Sequence, residues 1–325
     1  YPTGEAPMFM LTWPDVRRNS SVMSVFHSVS KGVKWRFKNS GQLEWQSNRV
    51  ASDWGIRQLE AIGYAYEKPL NRLAYQLKSQ AEYRWSSKVK SSFKLAVTER
   101  TPSTSEAFGY YLYNSMDGYD YMGNPDLKNE KSLNAEYAIS YHSDRFQFSA
   151  AVFHYQFADY IIGAVSTLDA MTLEANGVRE YQNMAAASIS GAETMFKTNL
   201  SPSLNFIQKN TYSYGLTDNK DPLPLIPPFK STNQLRYNWK GFEFETMLLW
   251  ALPQNRNAEF FGETQTPSYT LVDFNVLRTV KLSDKQLSLQ LSLKNLMDVY
   301  YADHLDWNKI PRPGRSVNVN VRYSF

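Results

Sequence analysis

Five tyrosines, Tyr110, Tyr111, Tyr113, Tyr119 and Tyr121, crowd one stretch, "TPSTSEAFGYYLYNSMDGYDYMGNPDLKNE" (101–130), which shows no strand or helix period of its own. A phenol ring offers an apolar face and a polar tip at low ordering cost, so such a cluster suits a vestibule for a planar or amphipathic ligand. The same rings can instead pack on one another and hold an Ω-like loop in shape. Asp117 and Asp120 lie among them, but "DGYDYMGNPD" lacks the alternating acids and following glycine of a calcium loop. Turn chemistry is the simpler role for both acids, and no metal site is assigned.

The four histidines are His27, His142, His154 and His304. His304 and Trp307 sit with Tyr300, Tyr301 and Asp303 near the C-terminus and are the second candidates for ligand contact; the alternative for His304 is an exposed loop histidine. Ten methionines raise thioether chemistry with Cu(I). Met116, Met122 and Met171 fall in expected loops, whereas Met23, Met195 and Met247 fall in strands, where filling gaps is their ordinary use. There is no cysteine, which removes disulfides, thiolate metal sites and cysteine nucleophiles. Neither G-x-S-x-G nor H-E-x-x-H occurs, so the chain reads as a protein without catalysis and without a cofactor.

The elements that position these residues follow from composition and period. Aromatic residues make up 15% of the 325, yet mean hydropathy is polar at −0.49. No apolar run is long enough for a membrane helix, and "YPTGEAPMFM" lacks the regions of a signal peptide. Basic and acidic residues, 35 and 31, are scattered without a basic block, so nucleic acid is not an expected partner.

The dominant signal is period two. In "NRLAYQLKSQAEYRW" one face reads Leu73, Tyr75, Leu77, Ser79, Ala81, Tyr83, Trp85, and the other Arg72, Ala74, Gln76, Lys78, Gln80, Glu82, Arg84. "KQLSLQLSLKN" sets Leu287, Leu289, Leu291 and Leu293 against Ser288, Gln290, Ser292 and Lys294, and the chain ends "RSVNVNVRYSF" with the same alternation. "FHYQFADYIIG" departs from it, because Phe153, Tyr155 and Phe157 oppose Phe146, Phe148 and Val152; a bulge or a partly apolar inner surface is required there.

Connections alternate in length as well. Short turns fall near 39–41, 86–87, 143–145, 200–203, 238–241 and 282–285; long loops fall near 51–69, 101–130, 163–177, 217–229, 253–266 and 300–313. Long alternating strands joined by short and long connections in turn describe a transmembrane antiparallel β-barrel, the one sheet that satisfies its backbone in lipid. The pattern yields thirteen strands, centred near 20–37, 42–50, 70–85, 88–99, 131–142, 146–161, 179–199, 203–215, 230–238, 242–252, 267–281, 286–298 and 314–325. A barrel with both ends on the inner side needs an even number. An odd count places residue 1 outside and makes residues 1–325 the expected C-terminal portion of one larger barrel domain.

Several stretches resemble the C-terminal half of TonB-dependent outer-membrane receptors, in particular the Bacteroidetes type. "ERTPSTSEAFGYY" through "GNPDLKNEKSLNAEYAISY" is similar to the family's sequence before a barrel strand, and "FHYQFADYIIG" to the strand that follows. "LKNLMDVYYADHLDWNKIPRPGRSVNVNVRYSF" resembles its closing signature. The resemblance covers about residues 97–325, while 1–96 fit by pattern. It implies a 22-stranded barrel with an N-terminal plug absent from this sequence. It also implies import of a scarce large nutrient, with a ferric siderophore first and haem or cobalamin next.

The partners implied are the TonB complex, reached through the missing N-terminal part with its TonB box, the remainder of the same receptor, outer-membrane lipid and lipopolysaccharide, the transported ligand and a surface lipoprotein. Phe325 matches the family's terminal assembly signal, and Gly314 with Arg315 matches the turn into its last strand. A passive porin or oligosaccharide channel is the alternative, and a soluble β-rich carbohydrate-binding module the third.

Overall fold

The computed structural model describes residues 11–282, 284–306 and 309–325. They form one 15-stranded sheet. Its strands are β1 Val16–Lys31, β2 Trp35–Val50, β3 Leu70–Arg84, β4 Val89–Arg100, β5 Leu112–Asn114, β6 Tyr119–Met122, β7 Glu130–His142, β8 Phe146–Val165, β9 Val178–Ser201, β10 Leu204–Thr217, β11 Lys230–Trp239, β12 Phe242–Ala251, β13 Tyr269–Leu282, β14 Lys285–Lys294 and β15 Ser316–Ser324. Thirteen of them run as an antiparallel meander in chain order, and β5 and β6 lie off that path. β1 pairs only with β2 and β15 only with β14, so both edges are open among the described residues.

Directly opposed residues share a face, so the register fixes what each face carries. Leu43 faces Tyr75, Leu77 faces Val97, Phe93 faces Tyr137 and Leu291 faces Val319. These side chains lie on the outer surface with no protein cover; Val319 is 72% exposed. The inner face carries charge pairs across strands: Lys38 to Glu82 at 2.5 Å, Lys94 to Glu136 at 2.9 Å and Arg236 to Glu245 at 2.9 Å. Near the short turns the outer surface becomes aromatic. Trp35 contacts Tyr83 at 4.5 Å between ring centroids and Tyr83 contacts Trp85 at 4.7 Å, while Tyr141, Phe146, Phe196 and Phe206 form a row across four further strands. This is the girdle expected where a barrel meets the headgroup layer.

Two local expectations need correction. The first short turn lies at residues 32–34, where Gly32 takes φ +61°, and not at 39–41. Ser40–Gly41 looks like a turn but is strand interior: Gly41 pairs with Val25 on one side and Leu77 on the other. The strand expected over 286–298 stops at Lys294, because Asn295 (φ +49°) and Asp298 (φ +53°) turn the chain. In β8, Phe153, Tyr155 and Phe157 pair with Glu136, Asn134 and Ser132 and therefore lie on the inner face. The partly apolar inner surface is thus real, and the Phe153 ring lies against Gly191, where a Cβ would collide with it.

The long connections all sit at the opposite end from the girdle and form a crown. Residues 51–69 contain helix α1, Asp53–Glu60, capped by Ser52, whose side chain accepts from the Gly55 amide. Residues 101–130 are not without elements. They hold helix α2, Thr104–Phe108, closed by a reciprocal cap between Ser103 and Glu106, followed by the β5–β6 hairpin. The two helices bring together Val50, Leu59, Ala107 and Phe108, a small apolar core set in the crown. β6 then joins the sheet as a parallel partner of the outer end of β9, with Tyr121 opposite Arg179.

Candidate functional site

The crown closes over a cavity of about 730 Å³ on the inner face of β8 and β9. Tyr113 and Tyr121 from the tyrosine stretch line it, joined by Tyr160 and Tyr181, with Ile161, Ile162 and Phe261 between them. Strand alternation explains the geometry: Ile161 and Gly163 of β8 pair with Asn183 and Tyr181 of β9, putting them on the same face as Ile189 and Phe153. The glycine at 163 leaves the space that the Tyr121 ring occupies.

Arg179 holds this side together. It is 1% exposed, lies 3.0 Å from Asp117 through Nε without aligning as a hydrogen bond, and donates to the carbonyls of Gly163 at 3.2 Å and Phe261 at 2.8 Å. Its guanidinium is held between the Tyr119 and Phe261 rings, 4.2 and 4.4 Å from their centroids. Tyr121 donates its hydroxyl to Asp117 at 2.7 Å; burial, then that bond, raises its pKa above the ordinary phenol value. Asp120 is fully buried and accepts from Met171 N, Thr172 N and Thr172 Oγ1, which ties down the loop after β8. Asp117 also accepts from the Tyr119 amide at 3.3 Å, a bond within its own turn, whereas the partners of Asp120 lie 51 and 52 residues along the chain.

The other side of the cavity is built around His304, which is buried at 3% exposure and is not the exposed histidine of the alternative reading. Its Nδ1 faces the Thr266 hydroxyl at 2.8 Å and Lys309 Nζ at 3.1 Å. An ammonium only donates, so Nδ1 is the acceptor, and the network assigns the ring proton to Nε2. Nε2 lies 3.5 Å from Glu263 Oε1 and has no hydrogen-bond partner among the described residues. Burial would raise the Glu263 pKa, but the neighbouring His304 imidazole and hydrogen bonds from the Ala258 and Leu225 amides hold it below the usual carboxylate range. Burial lowers the Lys309 pKa. Arg312 clasps Asp306 through two bonds of 2.7 Å, and Lys230 reaches Asp303 at 2.5 Å, fastening the last loop to β11.

The remaining expected residues have distinct places. Tyr110 and Tyr111 meet edge to face at 5.1 Å, and neither these two nor Tyr119 lines the cavity. Trp307 lies outside the described residues. Gly314 sits where a Cβ would strike the Asp298 carboxylate, which accepts from Arg315 N at 2.7 Å. Asn295 completes this turn, accepting from Val299 N and donating to Val299 O and Pro313 O. Phe325 is 97% exposed at the girdle end, 6.2 Å from the Tyr323 ring. Sequence reasoning did not single out Arg179, Tyr160, Tyr181, Glu263, Thr266 or Lys309. Alternation along β9 could have put Tyr181 and Arg179 on the inner face; the loop residues left no such signal.

Comparison with known proteins adds three findings. Residues 80–296 match the family described as TonB dependent receptor-like, beta-barrel. A probable hemoglobin and hemoglobin-haptoglobin-binding protein of Haemophilus influenzae is 27% identical over 290 residues, 79% of this chain and 28% of that protein. A probable TonB-dependent siderophore receptor, PirA, of Acinetobacter baumannii is 26% identical over 242 residues, 62% of this chain and 31% of that one. The chain thus spans less than a third of either relative. Among solved structures, the copper transporter OprC superposes with a TM-score of 0.79 at 17% identity, over 96% of this chain and 48% of that one. At that identity the match speaks for the fold.

Proposed function

The chain belongs to the TonB-dependent receptor β-barrel family, and from that premise we propose that it is the C-terminal portion of an active outer-membrane importer of a ferric siderophore. Members of this family are barrels of the bacterial outer membrane, which is the location of this chain. Its family is one of receptors and transporters rather than enzymes.

The observation that carries the reading is the inward-facing cavity beneath the crown, lined by tyrosines and a buried histidine and assembled from long connections on one side of the sheet. In this reading Tyr113, Tyr121 and His304, which line the cavity, meet the ligand, and Tyr110, Tyr111 and Tyr119 support the loop behind them. Haem and cobalamin follow the ferric siderophore as cargo. The open edges of β1 and β15 support a larger barrel, because an unpaired edge in lipid leaves backbone groups unsatisfied at several kcal/mol each. In this reading residues 1–325 are the C-terminal part of one barrel domain of 22 strands.

The remainder of the receptor then supplies the plug and the TonB box that engages the TonB complex. Lipid and lipopolysaccharide cover the outer face, and a surface lipoprotein hands over cargo. Phe325 serves as the assembly signal, and Gly314–Arg315 as the turn into the last strand. The finer assignment to the Bacteroidetes type rests on the loop motifs, while the two relatives above come from Haemophilus and Acinetobacter.

Growth of a deletion strain under iron limitation, set beside copper and cobalamin limitation, tests the cargo. A defect confined to iron limitation is expected; no induction and no defect there would reject an iron cargo. A passive channel is separated by the upstream sequence, which on the importer reading encodes a plug before the first strand.

A further inference from the structure

We propose that this cavity selects iron complexes without net negative charge and rejects polyanionic complexes. The inference rests on the iron-importer reading and narrows its substrate class.

The charges lining the cavity come from Asp117, Glu174, Glu263, Asp306 and Lys309, and no arginine side chain lines it. Two of the acids are already answered from behind: Arg179 sits against Asp117 and Arg312 against Asp306. Lys309 is committed to Thr266 Oγ1 at 2.9 Å and the His304 carbonyl at 2.6 Å. That leaves Glu174, exposed on its loop, and Glu263, whose Oε1 and Oε2 accept from the Leu225 and Ala258 amides at 2.6 and 3.0 Å. A trianionic ferric tris-catecholate would meet two carboxylates and one engaged ammonium. A neutral ferric tris-hydroxamate meets no such repulsion.

The rings of Tyr113, Tyr121, Tyr160 and Tyr181, with Ile161, Ile162 and Phe261 between them, supply apolar cover that suits such a neutral complex.

The test is equilibrium binding to the whole detergent-solubilised receptor, read by fluorescence quenching. The two probes are a neutral ferric tris-hydroxamate carried on a cyclic peptide and trianionic ferric enterobactin. The neutral complex is expected to bind at least about tenfold tighter. Glu263→Gln should shrink that preference by about tenfold, and Glu174→Gln, at an exposed position, by about twofold.

Tighter or equal binding of the trianion overturns the charge selection and leaves iron import standing. Binding of neither probe overturns the charge selection, and growth under iron limitation then decides the importer reading separately. A neutral preference untouched by either substitution also overturns the proposal, since selection would then arise elsewhere. Should Glu263→Gln lose the heat-modifiable mobility of a folded barrel, the wild-type preference and Glu174→Gln still decide the matter.

Discussion

The wall and the crown of this molecule are built on opposite rules. In the wall, large apolar side chains such as Leu289, Val317 and Val321 point outward without protein cover, and the inner face is stitched by charge pairs. In the crown, Leu59, Phe108 and Leu223 are almost wholly buried, as is the Arg179–Asp117 pair. The wall relies on lipid and on its backbone ladder, and inversion of ordinary polarity is its signature. The crown behaves like a small soluble domain, with capped helices, an apolar core and satisfied buried acids. One chain therefore obeys two solvents, and changes in each region should fail differently.

Arg179→Met should produce the largest effect. It strands the buried Asp117 carboxylate, which costs about 3–5 kcal/mol when one partner of a buried pair is removed. Hydrogen exchange should rise across β6 and the loop after β8 while the heat-modifiable mobility of the wall stays unchanged; collapse of both together would break the division into two regions.

The wall's inversion is sharpened by a pair of substitutions on neighbouring residues of β14. Leu291→Arg, outward, should cost about 2–4 kcal/mol, whereas Ser292→Arg, inward, should cost less than about 1 kcal/mol, read from denaturation midpoints of the receptor in lipid vesicles. Equal costs would reject the assignment of faces.

Acid should separate the regions more gently. Burial alone would raise the Glu106 pKa, but hydrogen bonds from Arg100 and the Ser103 cap hold it below its usual value of 4.5. A depressed folded value means the contribution is complete above 4.5 and fades as pH falls through the folded value. Pepsin should therefore begin to cut within 101–130 in that acid range while the strands resist. The smallest effect is expected at the girdle, where Tyr83→Ala removes contacts with Trp35 and Trp85 and should cost about 1 kcal/mol beyond lost area.

The wall was legible because period two depends only on neighbouring residues. Thirteen strands and the long-short rhythm follow from runs such as Leu287 to Leu293, and the one misplaced turn came from Ser40–Gly41, a turn-like dipeptide that pairing on both sides holds extended. The crown was less legible, since its contacts join distant parts of the chain. Ser103 with Glu106 did carry a local helix signal. In contrast, Arg179 meets Asp117, Tyr119 and Phe261, and His304 meets Glu263 and Thr266, through loop closures that no local pattern encodes.

The parallel pairing of β6 with β9 has a mechanical corollary. A surface loop resting on side chains can drift by degrees as a ligand arrives. A segment hydrogen-bonded in register, with Asp120, Tyr121 and Met122 beside Val178, Arg179 and Glu180, has no half-shifted state that keeps its partners. The tyrosine stretch should therefore act as a zip with two settings, seated or peeled, and displacing it would free the Arg179 clasp and the rim of the cavity in one event.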